Sequence, residues 1–295
     1  MPIPNLLTIR YSLFATHYSL FALFMPLTVT TWNINSVRLR IDLVARFVKT
    51  TRPDILCLQE TKCPDDKFPV KRFRRLGYEH IALNGQKGYH GVVVLSRLPF
   101  ESFAVHTFCD KNDCRHVSVV LGERAGLRDP IMLHNFYVPA GGDIPDPAVN
   151  PKFEHKLSFL DEMRNCGPLR PGKSDRAILL GDLNVAPLEH DVWSHRQMLR
   201  IVSHTPIECE KLTAAAKAGD WVDPIRMLTP EPAKLYTWWS YRAPDWKTAD
   251  KGRRLDHIWV SRALADRVAR VDIAKNYRAA ARPSDHVPVT ATIEL

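Results

Sequence analysis

The sequence contains little cysteine, and beyond residue 24 it has no apolar run long enough to span a membrane. Six cysteines in 295 residues are too few for a disulfide scaffold. Cys109 and Cys114 lie between His106 and His116, but this spacing matches no common zinc-finger pattern, and Asp110–Asp113 predicts a turn. The sequence therefore argues against a disulfide-rich, a zinc-finger and an integral membrane protein.

Acidic residues are in the minority, with 32 Asp and Glu against 41 Lys and Arg, which gives a net charge of +9. This excess favours a polyanionic partner such as DNA or RNA, which long-range attraction brings to the protein. Charge alone does not decide the matter, because many basic proteins bind no nucleic acid. The apolar fraction of 45% is ordinary for a globular protein, so a large core can form.

Residues 1–24 differ from the rest of the chain. They carry one basic residue and no acidic residue, and Tyr11–Ala15 recurs as Tyr18–Ala22. No positive cluster precedes this stretch and no small-residue cleavage site follows it, so it does not fit an export signal. We expect Met25 to be the native start and residues 1–24 to be an unstructured or mis-assigned extension.

From residue 27 onward, strand-like and helix-like segments alternate, which predicts an α/β architecture. Strands are predicted at residues 27–32, 54–58, 91–96, 117–121, 131–137, 177–180, 236–241, 255–260 and 287–293. Helices are predicted at residues 38–50, 152–165, 193–200 and 208–218, with another that begins near Ser261. Because no flexible linker interrupts residues 25–295, we expect one catalytic domain.

Five short polar segments follow apolar runs that are typical of buried strands. They are, in chain order, Trp32–Asn35, Leu58–Lys62, Gly181–Asn184, Arg254–His257 and Ser284–His286. Hydrolysis of a phosphodiester needs a cation to neutralise developing charge and a group that orients or deprotonates water. Carboxylates and amides at strand ends can bind the cation, and a carboxylate or a histidine there can orient or deprotonate the water. The sequence therefore predicts a divalent-metal phosphodiesterase site.

Glu60 is the leading metal-ligand candidate, because a carboxylate at a strand end is a hard oxygen donor suited to Mg²⁺ or Mn²⁺. Asn33 adds a neutral oxygen and Asp285 a second carboxylate. Taken singly, each of these acids is better explained as a solvated loop charge or a helix cap. The prediction therefore depends on the five segments together.

The water and the phosphate are assigned to the later segments. Gly181 permits a close turn, and Asp182 and Asn184 face the same side if the backbone stays extended. Asp182 would then hold the attacking water, and Asn184 would bind a phosphate oxygen. His286 would donate to the phosphate, with Asp256 fixing its tautomer as in hydrolytic triads.

Together these segments resemble the exonuclease III family of apurinic/apyrimidinic endonucleases, within the wider endonuclease/exonuclease/phosphatase superfamily. The resemblance covers residues 27–295, and the motifs occur in the family's order: Trp32–Arg38, Pro53–Lys62, His134–Gly141, Leu179–Asn184, Arg254–Asp256 and Pro283–Pro288. The second motif is the most specific. The resemblance implies a four-layer α/β sandwich in which two mixed β-sheets pack face to face between helices.

The resemblance also implies the roles of individual residues. The implied metal site comprises Asn33, Glu60, Asp182, Asn184, Asp285 and His286. The implied catalytic set comprises Tyr137, Asp182, Asn184, Asp256 and His286. The implied activities on double-stranded DNA are incision 5′ to an abasic site, 3′→5′ exonuclease action and removal of blocked 3′ ends, performed by a cytoplasmic monomer that uses Mg²⁺, with Mn²⁺ as a substitute.

The predicted DNA contacts surround the aromatic segment Tyr236–Tyr241, which resembles the part of the family that lines the abasic-sugar pocket. One of its two adjacent tryptophans is expected to pack against the sheet instead. The candidate DNA-binding residues are Arg38, Lys62, Trp238, Arg253 and Arg254. The cluster Lys71–Arg75 is expected to be a solvated helix face. Ala140 departs from the family, which often has a larger polar residue there.

Two other functions fit parts of the pattern. A phosphatase of the same superfamily that acts on lipid or inositol phosphates would share the glutamate, Gly-Asp-x-Asn and Asp-His elements. It would lack the combination of these elements with an aromatic pocket strand and a basic surface. A catalytically silent DNA-binding protein would keep the fold and the charge, but it would normally show a broken site.

Overall fold

Two β-sheets stacked face to face form the centre of the fold, and helices cover their outer faces. The computed structural model describes residues 26–243 and 245–295, so the extension predicted at residues 1–24 lies outside the described residues. In spatial order, the first sheet comprises β12 (Val268–Ile273), β13 (Val289–Glu294), β1 (Pro26–Asn33), β2 (Ile55–Gln59), β4 (Val92–Ser96) and β3 (His80–Asn84). The second comprises β11 (Asp256–Val260), β8 (Arg176–Asp182), β7 (Ile131–Tyr137), β6 (His116–Leu121) and β5 (Ser102–Ala104).

Both sheets are mixed. Each contains one parallel pair among antiparallel pairs, β1 with β2 in the first sheet and β7 with β8 in the second. Parallel neighbours need a crossover connection, which helices provide in both cases. The α-helices are, in chain order, α1 (Val37–Thr51), α2 (Val70–Arg75), α3 (Pro151–Asn165), α4 (His195–Met198), α5 (Pro206–Ala218), α6 (Pro224–Leu228), α7 (Trp246–Ala249) and α8 (Arg262–Ala265). The predicted four-layer α/β sandwich is confirmed.

Alternation along the strands divides their side chains between two environments. The inner faces form one buried cluster, in which Val29 and Ile55 of the first sheet join Val119 and Ile178 of the second. The outer faces pack against helices. For example, Leu56 of β2 belongs to a buried cluster with α1 and α2, and β8 forms a similar cluster with α3 and α5. The four layers therefore follow from strands that are apolar on both faces.

Residues 186–254 contain α5, which begins two residues before the predicted helix at residues 208–218, and other elements that are shorter than the sequence predicts. The strand predicted at residues 236–241 is reduced to β9 (Trp238–Trp239), which pairs with the two residues of β10 (Gly252–Arg253) and bridges to His286 through Trp238. The helices predicted near residues 193–200 and after Ser261 are single turns of four residues. The prediction also misses β3, β5 and β12, because their mostly exposed or half-buried residues lack the alternation of a half-buried strand.

None of the helices in the described part of the chain combines the length and the apolar composition that crossing a bilayer requires.

A buried ion cluster ties the start of β11 to the preceding loops. Arg254 is 1% exposed; its Nε and Nη2 each donate to Asp191 at 2.9 Å, and its Nη1 donates to Asp223 at 2.6 Å. Burial opposes the ionisation of Asp191, but the guanidinium groups of Arg254 and Arg226 outweigh burial and lower the pKa of that carboxyl. Loss of Arg254 would therefore leave the buried Asp191 carboxylate with Arg226 as its remaining cation, and it would take from Asp223 the guanidinium that contacts it.

Arg254→Met is expected to lower the free energy of unfolding by roughly 3–5 kcal/mol, because it removes one of the two guanidinium groups that compensate the buried Asp191 and the guanidinium that contacts Asp223. Urea denaturation followed by circular dichroism measures the loss. Arg262→Met is the matched control, since Arg262 pairs with Asp220 at 3.0 Å on the surface, where solvent screens the charges. The control should leave the denaturation midpoint nearly unchanged, and an equal shift in both variants would contradict the importance of burial.

Candidate active site

The strand ends that carry the predicted polar segments meet at one edge of the sandwich. Asn33 ends β1, and because β1 and β2 are parallel it lies beside the segment that leads from β2 to Glu60. In the second sheet, Tyr137 pairs with Asp182 across β7 and β8, and Asp256 pairs with Asp182 across β8 and β11. Strand register therefore assembles the site from distant parts of the sequence.

Asp182, Asp256 and His286 form a buried cluster at the centre of this site. His286 Nδ1 lies 2.8 Å from Asp256 Oδ2, and its Nε2 lies 3.6 Å from Asp182 Oδ2. Ligand atoms of all three residues lie within 4.8 Å of one another. The imidazole thus stands between two carboxylates, and the pair predicted between Asp256 and His286 is in hydrogen-bond contact.

Glu60 lies next to this cluster and is linked to it by an amide. Asn33 Nδ2 donates to Glu60 Oε1 at 2.9 Å and to Asp182 Oδ2 at 2.8 Å. The Tyr137 hydroxyl donates to the same Glu60 oxygen at 2.9 Å. Lys62 Nζ lies 2.8 Å from the other Glu60 oxygen, so this predicted DNA contact faces the site carboxylate.

Asp285 is held by two donors that come from different parts of the chain. Trp238 Nε1 donates to its Oδ2 at 2.9 Å, and Asn35 Nδ2 donates to its Oδ1 at 3.1 Å. Asn35 also accepts from Lys62 Nζ at 2.6 Å. Our sequence prediction does not include Asn35 among the site residues. The sequence offered one signal for Asn35, because residues two positions apart in a strand face the same side. β1 ends at Asn33, however, so the backbone between the two asparagines is not a regular strand.

Asp182 and Asn184 come together through a left-handed turn, and not through the extended backbone that the sequence predicts. β8 ends at Asp182, and Asn184 adopts a φ of 54°. Gly181 is required before this turn, because a Cβ atom would lie 2.0 Å from the Phe136 carbonyl oxygen. Asn184 Nδ2 donates to Asp182 at 3.2 Å and to the Val138 carbonyl at 2.9 Å. Both N–H groups of this amide already donate hydrogen bonds, so Asn184 can donate to a phosphate only if one of these two hydrogen bonds is broken.

Residues in left-handed backbone conformations surround the site. Asn35, Glu60, Lys62, His90 and Asn184 have φ values from 45° to 54°. Such conformations cost roughly 1–3 kcal/mol each for residues other than glycine, and they persist only where the surroundings hold them. Apart from the two asparagines, which tolerate this region, the sequence carries no signal of these turns.

Burial and neighbouring charges shift the pKa values of the central residues. Burial raises the pKa of the Asp182 carboxyl to about 7, although the His286 imidazole opposes the shift. Burial alone would lower the pKa of His286, but the carboxylates of Asp256 and Asp182 raise it to about 10. The imidazole is therefore protonated at neutral pH. Burial and the nearby Glu60 raise the pKa of the Tyr137 hydroxyl, which therefore stays neutral.

A cleft of about 640 Å³ opens beside these residues. Its lining includes the aromatic side chains of Trp193, Trp238 and Tyr241 and the cations of Arg242, Lys251 and Arg253. The Arg253 guanidinium lies 4.9 Å from the ring centroid of Trp238. Positive charge beside aromatic faces suits a nucleic-acid backbone with an unstacked sugar or base.

The predicted DNA-binding residues lie in four different places. Trp238 and Arg253 line the cleft, whereas Lys62 faces Glu60 and Arg38 is exposed on α1. The prediction for Arg254 is wrong, because its guanidinium is buried in the ion cluster described above and does not reach the cleft. As expected, one of the two adjacent tryptophans, the buried Trp239, packs inside the protein.

The oxygen atoms of the site match the ligands that a hard divalent cation prefers. Burial would raise the pKa of Glu60 and Asp285, but Lys62 beside the first and His286 beside the second lower it, so both stay ionised. Asp256 Oδ1 is buried and makes no hydrogen bond to the described residues. The residues present therefore fit such a cation.

His286 fits the predicted metal shell less well than the carboxylates do. While the imidazole is protonated, it has no lone pair for a metal, so ligation requires proton loss. Across residues 26–243 and 245–295, the compact groups of potential ligands are limited to Asp182, Asp256 and His286. Among the described residues, the histidines and cysteines of residues 106–116 form no such group.

Residues 30–286 match the endonuclease/exonuclease/phosphatase family. The chain is 31% identical to exodeoxyribonuclease III of Haemophilus influenzae, over 88% of this chain and 97% of that protein. An AP endonuclease from Archaeoglobus fulgidus is similar in structure, with a TM-score of 0.82 and 30% identity over 91% of this chain and 100% of the other. A 3′ phosphatase from Neisseria, solved with a product DNA hairpin, gives a TM-score of 0.80 and 29% identity over the same shares. From its sequence, its two-sheet sandwich and these relatives, the chain belongs to the endonuclease/exonuclease/phosphatase family.

Proposed function

We propose that this protein is a DNA-repair hydrolase of the exodeoxyribonuclease III type. Its proposed activities are incision 5′ to abasic sites in duplex DNA, 3′→5′ exonuclease action and removal of blocked 3′ ends. The observation that supports it most is the convergence of Glu60, Asp182, Asp256 and His286 beside one cationic, aromatic cleft. We also propose that residues 25–295 form one catalytic domain and that it acts as a cytoplasmic monomer.

The relatives support a nuclease over the other enzymes of the family. Their names describe an exodeoxyribonuclease, an AP endonuclease and a 3′ phosphatase bound to a DNA hairpin. The net charge of +9 agrees with a polyanionic substrate. The lipid or inositol phosphatase is disfavoured for the same reasons. The silent DNA-binding protein is disfavoured because each proposed catalytic position holds the residue type that the reaction needs, so the site is not broken.

Asp182 is the proposed base. Amides of Asn33 and Asn184 hold its carboxylate in place, so it can orient a water molecule and accept a proton from it. The protonated His286 donates to a phosphate oxygen and stabilises the negative charge that develops there. Asp256 keeps the imidazole in this orientation. Tyr137 provides a second, neutral donor at the same edge.

Glu60 and Asp285 would hold a divalent cation, which we propose to be Mg²⁺ with Mn²⁺ as a substitute. Asn33 would join them through its Oδ1, which requires its amide to turn, because its Nδ2 donates to Glu60 and Asp182. When bound, the cation neutralises charge on the phosphate. Lys62 contributes a further positive charge next to Glu60. Trp238 and Arg253 form the wall against which a flipped abasic sugar or a frayed 3′ end would lie.

End-labelled DNA duplexes test the function directly. With Mg²⁺, the purified protein should cut an abasic-analogue duplex on the 5′ side of the lesion and shorten recessed 3′ ends. Parallel reactions contain an undamaged blunt duplex, a 3′-phosphate duplex and a phosphoinositide. Binding without cleavage in Mg²⁺ and Mn²⁺ would favour the silent DNA-binding protein, and phosphate release from the lipid alone would favour the phosphatase.

Asp182→Asn is expected to lower kcat roughly 10²–10⁴-fold while DNA affinity changes little, because the carboxylate acts on water. Single-turnover cleavage and fluorescence anisotropy measure the two quantities. Asp220→Asn, which changes an exposed carboxylate of the surface ion pair, serves as the control. Loss of DNA affinity with unchanged turnover would show that the assigned role is wrong.

Removal of divalent cations with EDTA should abolish cleavage, and added Mg²⁺ or Mn²⁺ should restore it. Glu60→Gln should then need a Mg²⁺ concentration roughly 10-fold higher for half-maximal rate, because a charged oxygen ligand becomes neutral. Titration of Mg²⁺ against the cleavage rate measures this shift. Cleavage that persists in EDTA would exclude the proposed cation from the reaction.

A further inference from the structure

A buried lysine and a buried glutamate join α3 to α5 directly behind the active site. The Lys156 and Glu208 side chains are both fully buried and form an ion pair. The proposed mechanism uses neither of them. A buried ion pair often contributes no more stability than well-packed apolar residues of the same size. Stability alone therefore does not account for the pair. The other contacts of Lys156 and Glu208 indicate a second role.

Lys156 contacts the turn that carries the proposed base. Its Nζ donates to the Asn184 carbonyl oxygen at 2.7 Å and lies 3.4 Å from the Ala140 carbonyl oxygen. Asn184 is the left-handed residue whose side chain holds Asp182. The ammonium group therefore fixes the backbone of this turn from the side opposite the cleft.

Glu208 contacts the wall of the cleft. Its carboxylate accepts from the Ser203 backbone N–H at 2.9 and 3.0 Å and from the Thr205 hydroxyl at 2.6 Å. Ser203 Oγ in turn accepts from Arg253 at 2.9 Å, and Arg253 stacks on Trp238. A continuous set of contacts thus runs from the buried glutamate to the proposed substrate wall.

We propose that Lys156 and Glu208 are positioning residues for the hydrolysis. The pair holds the Asn184 turn on one side and the Ser203–Arg253 wall on the other. It therefore keeps the Asp182 carboxylate at a fixed position relative to the substrate. Neither residue touches the substrate, so both act through others. This inference rests on the proposed nuclease function.

Two single variants and their combination separate positioning from stability. Lys156→Met leaves Glu208 buried without its cation and should lower both the thermal midpoint and kcat. In the double variant Lys156→Met/Glu208→Gln no charge remains unpaired, and the glutamine oxygen still accepts from Ser203. Its thermal midpoint should therefore return close to the wild-type value, as a double-mutant cycle with Glu208→Gln alone would show.

The kcat of the double variant should stay low although its stability recovers. The Asn184 carbonyl still lacks its donor, and a small displacement of a catalytic group lowers turnover roughly 100-fold. KM should change little, because the contacts to Ser203 persist. Recovery of wild-type kcat together with stability would show that the pair serves the fold alone and would overturn the inference.

The chain offers a matched control in the same two helices. Lys211 of α5 and Asp161 of α3 form an ion pair at 2.5 Å that is partly exposed to solvent. Lys211→Met/Asp161→Asn removes a lysine–acid pair between the same helices without touching the Asn184 turn. This variant should keep the wild-type kcat, and a loss as large as that of the buried pair would overturn the positioning role.

A crystal structure of the double variant tests the same idea without activity. A displaced Asn184 turn supports positioning, whereas a turn in its original place overturns it. If the wild-type protein cleaves no DNA, the proposed function fails and this structural result still decides the role of the pair. Failure of both lysine variants to fold would identify the pair as a folding requirement and would also overturn the proposal.

Discussion

The register between β8 and β11 is the constraint on which the active site depends. It sets Asp256 opposite Asp182, and His286 enters between them from the other sheet. The Trp32 indole of β1 donates to the His286 carbonyl oxygen at 3.1 Å and so ties the histidine segment to the first sheet. A slip of one residue would turn Asp256 to the opposite face and leave the imidazole without its partner. The packing of the two sheets is thus part of the chemistry as well as of the stability.

Features that depend on local pattern could be predicted from the sequence. Glu60 follows an apolar strand and Asp182 ends one, so their positions at strand ends were predictable, whereas their approach depends on the stacking of the two sheets. Features that depend on distant partners could not. Arg254 lies in a basic stretch of sequence, and only the fold reveals that Asp191 and Asp223 bury it. The burial of Lys156 could not be predicted either, because it depends on Glu208, which belongs to another helix.

Two kinds of cation with different roles can therefore be distinguished in this basic chain. Arg254 and Lys156 are buried, paired with carboxylates and turned away from solvent. Lys251 and Arg253 border the cleft, where they lie over aromatic rings at 4.5 and 4.9 Å from the ring centroids. Net charge counts both kinds equally, although only the second kind can meet a phosphate backbone. The distribution of charge is thus a better guide to the substrate surface than its sum.

The order of strands in the first sheet has a consequence for biosynthesis. β1 lies between β2 and β13, so the earliest described strand has the latest one as a neighbour. Until β13 has been synthesised, that edge of β1 is unpaired, and a chain that stops before residue 285 lacks Asp285 and His286. An incomplete chain therefore exposes an open strand edge that invites aggregation. It also carries no complete hydrolytic centre, because Asp256 and Trp238 lack the partners that His286 and Asp285 provide.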